Sequence, residues 1–194
     1  MSRSGLLFAS ALLLANTSGQ VWAANAPELS EVAGKYTVTP SSRIAFSVAQ
    51  VGGGGIKGVF GKFSGSFTLE AGDLQHSTVS FTLVPDSVEA GEKRIDTFLK
   101  STAVFDAANF NAITFRSNAI KQTGPDTATV TGQLSAKGHQ RSESFNVKLT
   151  RWNGKSIAFD VSGDVFRSRY DMDVGTPIYS NVVHFDMSVE GERR

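Results

Sequence analysis

The side chains that could do chemistry are few and lie far apart in this chain. Its three histidines, His76, His139 and His184, do not form a ligand-spaced group such as H-E-x-x-H. The chain contains no cysteine, which excludes a thiolate metal site and a cysteine nucleophile. We therefore expect no metal site, and we interpret the histidines as solvated or hydrogen-bonded surface residues.

Serines and carboxylates give no stronger indication of catalysis. The segment 61–65 contains Ser64 but lacks the G-x-S-x-G spacing of a nucleophile elbow. Asp171 and Asp173 would share one face on a strand, yet turn residues are a better interpretation of this pair than an acid–base couple. We expect no catalytic residue, and we expect that the protein is not an enzyme.

One glycine motif has the form of a cofactor site without its context. Gly53, Gly55 and Gly58 spell G-x-G-x-x-G, which binds dinucleotides where a helix follows it. The segment that follows here alternates like a strand. We therefore predict that the chain takes no cofactor.

Two arginines are candidates for binding an anion. Arg94 lies at the start of a predicted helix, and Arg167 follows the end of a predicted strand. Because a guanidinium pairs well with carboxylate or phosphate, both arginines are candidates for holding the polar head of a ligand. The alternative, which the sequence leaves open, is a surface salt-bridge cluster with Glu92 and Asp96.

The elements that must position these groups are strands. Apolar residues, many of them phenylalanine, recur two positions apart with polar residues between, as in Phe46 and Val48 or Phe185 and Met187. Successive strand side chains point to opposite faces, so each stretch has one apolar face. Many such strands without a long helix indicate an antiparallel sheet curled around an apolar interior.

The turns divide this alternation into regular segments. Strands are predicted over residues 36–48 with a break near Pro40, 56–69, 79–88, 111–120, 127–135, 142–152, 156–165 and 182–190. The spacing of Ile95, Phe98 and Leu99 predicts one short helix over residues 92–100. We predict an all-β fold, an antiparallel up-and-down barrel of about eight strands with one short helix.

The first residues have the pattern of a secretory signal. Arg3 precedes an apolar run from Leu6 to Ala15, which is too short to cross a bilayer, and we expect cleavage after Ala23. We divide the chain into a signal peptide at 1–23, a flexible leader at 24–34 and one barrel domain at 35–194. The net charge of +1, with both signs mixed, argues against a nucleic-acid binder.

The predicted apolar lining of the barrel is rich in phenylalanine. It consists of Phe46, Val48, Phe67, Phe81, Leu83, Phe98, Phe115, Phe159, Phe185 and Met187. Periodicity alone does not distinguish a filled core from a cavity for a long apolar ligand, and both interpretations stay open at this point.

Several motifs together carry a resemblance to a known family. They are Tyr36–Val48, Gly58–Phe67, Leu99–Ser101, Phe105-Asp106, Ile113–Ser117, Gly132–Leu134, Lys137-Gly138, Arg167-Ser168 and Met172. In order and spacing the chain resembles the YceI-like family of exported, lipocalin-like polyisoprenoid-binding proteins, from about Tyr36 to Gly191. Gln50 and Phe98 stand where that family often has histidine.

The resemblance implies a lipocalin-like barrel that holds a long isoprenoid chain and has no catalytic machinery. We therefore expect a periplasmic carrier of a long-chain polyisoprenoid lipid, of the prenyl phosphate or quinone type. The alternatives are a structural or stress-response periplasmic barrel with a filled core, and a non-catalytic accessory to quinone-dependent electron transfer. The expected partner is the lipid; no nucleic acid and no integral membrane segment in the mature chain are expected, and a homodimer is left open.

Overall fold

The computed structural model describes residues 27–194. The predicted signal peptide, and the first three residues of the predicted leader, lie outside the described residues. The elements in chain order are β1 (Gly34–Val38), β2 (Arg43–Ala49), β3 (Gly55–Phe60), β4 (Phe63–Leu69), β5 (Thr78–Leu83), β6 (Val88–Glu89), α1 (Lys93–Lys100), β7 (Ile113–Gln122), β8 (Thr127–Ala136), β9 (His139–Trp152), β10 (Ser156–Phe166) and β11 (Val182–Arg193).

Three pairs of these segments are single long strands with a break. The hairpin that pairs Tyr36 of β1 with Phe67 of β4 continues in nearly the same register into the pairing of Ala45 with Val59, which joins β2 to β3. Both β1 and β2 also pair with β11. The break between them contains Pro40, which has no N–H to donate to a ladder. The next strand consists of β3 and β4. The strand after it consists of β5, which pairs with β4, and β6, which pairs with β3.

The resulting eight strands close into a barrel. Every pairing is antiparallel, and the order β1-β4-β5-β7-β8-β9-β10-β11 returns to β1 through the pairing of β1 with β11. Neighbours in the chain are neighbours in the sheet, so the topology is up-and-down. The predicted fold class, an all-β barrel of about eight strands with one short helix, is confirmed.

The barrel has two ends that differ in structure. We call the upper end the one formed by residues 50–54, 90–112, 137–138 and 167–181, which includes α1. The lower end is formed by residues 27–33, 70–77, 123–126 and 153–155.

The lower end is closed by residues that the sequence assigned to a flexible leader. Leu29 and Val32 are buried, and the N–H of Leu29 donates to the carbonyl of Pro125 at 2.8 Å. Leu74 is buried beside them from the turn after β4. Leu29 and Val32, which belong to the expected leader at 24–34, thus bury apolar side chains that would otherwise face water. The division of the chain into leader and barrel domain stays a prediction.

Alternation within each strand separates the interior from the outer wall. Along β8, every second residue from Ala128 to Ala136 is buried, as period-two geometry requires. Gly132 takes part in this series without a side chain, because an added Cβ would lie 2.7 Å from the ring of Phe115. The absence of a side chain at Gly132 thus leaves space for the ring of Phe115 to pack against the backbone of β8.

Two predicted strands are longer in the structure. β9 begins at His139, because Lys137 and Gly138 both have positive φ and make a two-residue hairpin turn. His139, which was assigned to a turn, therefore belongs to the strand. β11 continues past Glu190 to Arg193, since its last residues pair with β1.

Candidate functional site

A long apolar cavity runs through the barrel. Its volume is about 240 Å³, and it is lined almost wholly by aliphatic and aromatic side chains. A void of about 150 Å³ with such a lining is already large enough to stay dry and bind benzene. The barrel is therefore hollow, and the interior is not an ordinary filled core.

The cavity extends from one end of the barrel to the other. Along β11 its wall includes Val183 and Val189, which are six residues apart and therefore about 20 Å apart on an extended strand. Leu29 lines it at the lower end, and Phe98 and Val174 line it at the upper end. Such a long, narrow space suits a single hydrocarbon chain better than a compact ring system.

The opening lies at the upper end. Phe98 and Val174 line the cavity and yet are 41% and 43% exposed, which places them at its mouth. Leu29 at the opposite end is 2% exposed. The mouth of the cavity is therefore bordered by α1 and by the loop that contains Val174.

All residues of the predicted apolar lining lie along this cavity. They are Phe46, Val48, Phe67, Phe81, Leu83, Phe98, Phe115, Phe159, Phe185 and Met187. The strands position nine of them by their shared parity, and α1 positions Phe98. Their contact with a ligand remains a prediction.

The wall is packed unevenly along its length. Phe67 is buried between Tyr36, whose ring stacks on it at 5.2 Å, and Phe159, whose ring meets it edge-on at 5.8 Å. By contrast, Phe81 and Met187 point inward but are only half-buried. Both side chains border the cavity and remain partly accessible from it.

Three further phenylalanines also line the cavity. Phe60 and Phe145 continue the same alternation as the predicted residues, so their parity could have identified them. Phe105 lies in the loop after α1, where no periodicity exists, and its ring meets Phe60 at 5.6 Å. Only the folded chain could show that Phe105 belongs to the site.

Arg167 is buried and its guanidinium is fully occupied. It has five N–H donors, and it makes five hydrogen bonds of 2.5–3.1 Å. The acceptors are the carbonyls of Met172, Val174, Tyr179 and Ser180 and the hydroxyl of Thr176. Burial lowers the pKa of Arg167, and the nearby charge of Asp173 opposes that effect.

These contacts change the interpretation of both candidate arginines. Arg167 holds the loop 172–180 in place and is 7% exposed, so the alternative of a surface salt-bridge cluster is wrong for it. In this arrangement no N–H of Arg167 is left for a ligand, which favours a structural role. Arg94 is exposed on α1 and is not part of the cavity wall. Head-group binding by either arginine remains untested.

A second polar group lies below the loop, and the sequence analysis missed it. Glu143 is buried and accepts hydrogen bonds from the hydroxyl of Tyr170 at 2.9 Å and from Arg169 at 2.8 Å. Burial, together with the bond to Glu143, raises the pKa of Tyr170. The one available signal was the parity of Glu143, which matches that of Phe145 on β9.

Ionisable side chains elsewhere form separate pairs. Each histidine contacts an aspartate: His76 with Asp73, His139 with Asp171, and His184 with Asp164. Within residues 27–194, no group of three or more metal-ligating side chains comes together. In the same part of the chain, no helix is long and apolar enough to span a membrane.

The fold and the cavity define a lipocalin-like β-barrel with an apolar interior. Residues 36–191 match the model of the YceI-like domain, and the chain belongs to that family. Among curated relatives, a UPF0312 protein of Ectopseudomonas mendocina is 26% identical over 156 residues, which cover 78% of this chain and 82% of that protein. Protein YceI of Salmonella arizonae is 26% identical over 170 residues, covering 84% and 88%.

Solved structures share the architecture at low sequence identity. BcnA of Burkholderia cenocepacia has a TM-score of 0.73 at 24% identity and covers 79% of this chain and 98% of its own. A polyisoprenoid binding domain from Saccharophagus degradans has a TM-score of 0.68 at 14% identity, with coverage of 84% and 100%. The YceI protein of Campylobacter jejuni reaches 0.66 at 19% identity, with coverage of 73% and 86%. At these identities the likeness establishes the fold.

Proposed function

We propose that this protein is a periplasmic carrier that holds a long-chain isoprenoid lipid in its barrel and catalyses no reaction. The observation that carries the proposal is the apolar cavity, which spans the barrel and opens at the upper end. Burying a prenyl chain contributes roughly 25 cal/mol for each Å² of apolar surface removed from water. The aromatic side chains of the wall supply apolar surface, and because they have few rotatable bonds they lose little conformational entropy when a ligand binds.

The comparisons support the class of ligand. The domain from Saccharophagus degradans is described as polyisoprenoid binding, and its barrel superposes on this one. A branched, unsaturated chain suits a narrow cavity in which aromatic rings alternate with aliphatic side chains. The periplasmic part of the proposal rests on the predicted signal peptide and on the absence of cysteine.

The polar groups of the cavity favour an uncharged head group. Arg167 has donated all five of its N–H groups to the loop, and Tyr170 donates its hydroxyl to Glu143. Among the described residues, Arg167 is the only cationic side chain that lines the cavity, so a phosphate inside the barrel would meet no free cation. Transfer of an unpaired charge into such surroundings is costly. A quinone-type head therefore fits the interior better than a prenyl phosphate. An accessory role in quinone-dependent electron transfer would depend on binding of the quinone in the same cavity.

The proposal is tested by what the protein carries. The protein is purified after export and extracted with organic solvent, and the extract is analysed by mass spectrometry. We expect an isoprenoid in roughly stoichiometric amount, with an uncharged head. If no apolar molecule is recovered, and if neither a quinone nor a prenyl phosphate binds at micromolar concentration, the carrier function is wrong.

A further inference from the structure

The upper end of the barrel carries an apolar surface patch. In residues 27–194, the large hydrophobic side chains that are exposed are Val51 at 75%, Ile178 at 59%, Phe166 at 49%, Val174 at 43% and Phe98 at 41%. Every one of them lies at the upper end or on the last residue of a strand that enters it. We call these five residues the rim patch.

The lower end shows the opposite distribution. Its apolar residues Leu29, Val32 and Leu74 are buried, although they also lie in turns and loops. Within the described part of the chain, the exposed large hydrophobic side chains are therefore confined to the end at which the cavity opens. An apolar patch confined to one face marks an interaction site.

The rim patch is held in place by hydrogen bonds. The N–H of Val51 donates to the carbonyl of Ile178 at 2.9 Å, and the N–H of Ser180 donates to the carbonyl of Ala49 at 2.8 Å. Arg167 fixes the loop that contains Val174 through the five bonds described above. The patch is thus a preformed surface.

We propose that the rim patch docks the upper end of the barrel on a lipid bilayer, so that the cavity opens into the hydrocarbon layer. Phe98 and Val174 belong both to the patch and to the cavity wall, which makes the two apolar surfaces continuous. This inference rests on the proposed carrier function, because an isoprenoid is stored in a bilayer and must leave it to reach the cavity. A lipid that enters at the rim passes from hydrocarbon to aromatic wall without crossing water.

Other occupants fit the patch less well. The described chain begins at residue 27, which lies at the lower end and not beside the rim patch. A second copy seated on the patch would block the opening through which the ligand enters.

Charged residues of both signs lie beside the rim patch, so their net electrostatic contribution to membrane binding should be small. Lys93 and Arg94 are exposed at the upper end, and Lys57 is exposed near the start of β3. Among the described residues none of the three has a carboxylate oxygen within 4 Å. Glu92 and Asp173 are exposed at the same end, so the face carries both signs. We therefore expect binding to depend mainly on apolar insertion and only weakly on salt. Arg94 then meets phosphates of the bilayer and not the head of the carried ligand.

Vesicle binding tests the proposal with a matched pair of variants. Val51→Ser with Ile178→Ser removes the two most exposed apolar side chains, neither of which lines the cavity. Gln75→Ser with Gln122→Ser changes two exposed residues at the lower end. The exported protein is floated with phosphatidylcholine vesicles, with and without phosphatidylglycerol. We expect the native protein and the lower-end control to bind, and the rim variant to bind at least tenfold more weakly.

A label reports which end meets the bilayer. Because the chain has no cysteine, Val51→Cys and Gln75→Cys each create a single attachment site for an environment-sensitive dye. Vesicles should shift the emission of the dye to shorter wavelength at position 51 and leave it unchanged at position 75. A shift at both positions or at neither position overturns the docking geometry.

The outcomes separate this proposal from the carrier function. If isoprenoid is recovered but the native protein does not bind vesicles, docking is wrong and the carrier function stands. If the native protein binds vesicles and the rim variant binds them less, but no isoprenoid binds, docking stands and the carrier function is wrong. If the rim variant instead abolishes a concentration-dependent dimer and binds vesicles like the native protein, the patch is an interface between copies and docking is wrong.

Discussion

Arg167 connects the end of β10 to the loop that borders the mouth of the cavity. Arginine at this position has a geometric reason, because four carbonyls and one hydroxyl surround it at hydrogen-bonding distance. A lysine keeps the charge but has only three donors in a different arrangement. Replacement of Arg167 by lysine therefore tests whether the position requires the geometry of the guanidinium or only a positive charge.

Replacing Arg167 by lysine should destabilise the protein. Carbonyls that lose their donor in a buried site cost about 1–3 kcal/mol, and the loop 172–180 should become sensitive to protease. Arg94→Lys, at an exposed position, should change stability by less than about 0.5 kcal/mol. Chemical denaturation measures both. Equal stability of the two variants would contradict the structural role. A loss of prenyl phosphate binding in Arg94→Lys alone would support Arg94 as the residue that holds the head group.

Met187 and Phe67 provide a contrast between cavity and packed wall. Met187 is half-buried and borders the cavity, so Met187→Trp should fill that space and displace ligand with little loss of stability. Phe67 is packed against Tyr36 and Phe159, so Phe67→Trp should cost about 1–3 kcal/mol through overpacking. Ligand recovered by extraction and the denaturation midpoint should separate the two variants. A large stability loss in Met187→Trp would mean that the interior is filled.

At the scale of the elements, breaks in the strands matter as much as the strands themselves. The first strand breaks between β1 and β2, where the side chain of Ser42 donates to the carbonyl of Glu190. The carboxylate of Glu190 accepts from the hydroxyl of Ser41 at 2.9 Å and from Arg151 at 3.0 Å. These contacts join the break to β11 and β9.

The contacts of Glu190 predict a small loss of stability in acid. The hydrogen bond from Ser41, followed by that from Arg151, lowers the pKa of Glu190 below 4.5. A depressed carboxyl pKa contributes stability above its unfolded value, and that stability is lost as pH falls through the folded value. Glu190→Gln should therefore lose less stability than the native protein between about pH 6 and about pH 3. Glu192→Gln, an exposed neighbour, is the control, and an identical pH profile for both variants would contradict the assignment.

The short 3-10 turn before β1 closes the lower end through Leu29. Leu29→Ala removes a side chain that is 2% exposed and should cost about 2–5 kcal/mol. The exposed neighbour Glu31 gives the matched control Glu31→Ala, for which a change below about 0.5 kcal/mol is expected. Thermal unfolding measures both. If Leu29→Ala behaves like the control, this segment does not close the lower end of the barrel.

For the whole molecule, the hollow barrel couples stability to occupancy. A ligand that binds only the folded state at 100 times its dissociation constant adds about 2.7 kcal/mol. For a domain of this size, 1 kcal/mol shifts the melting temperature by roughly 2–4 °C. Removing the lipid should therefore lower the melting temperature by roughly 5–10 °C, and adding back an isoprenoid quinone should restore it. Calorimetry of extracted and refilled protein checks this, and identical melting curves would contradict a ligand in the cavity.

The strands, the short helix and the direction of the lining residues could be predicted from the amino-acid sequence. These features depend on local geometry: strand side chains alternate with period two, and helical spacing differs from it. For this reason Phe46, Phe115 and Phe185 could be assigned to the interior without coordinates. Phe145 obeys the same rule.

Only the tertiary structure decided how the polar residues are used and whether the barrel is hollow. The burial of Arg167 depends on a loop that returns to it, and the closure by Leu29 depends on Pro125, which is 96 residues away in the chain. The pairing of Glu143 with Tyr170 joins two elements in the same way. The volume of the interior depends on the tilt and stagger with which eight strands close. No residue pattern within one strand contains that information, because it arises from the relation of each strand to all the others.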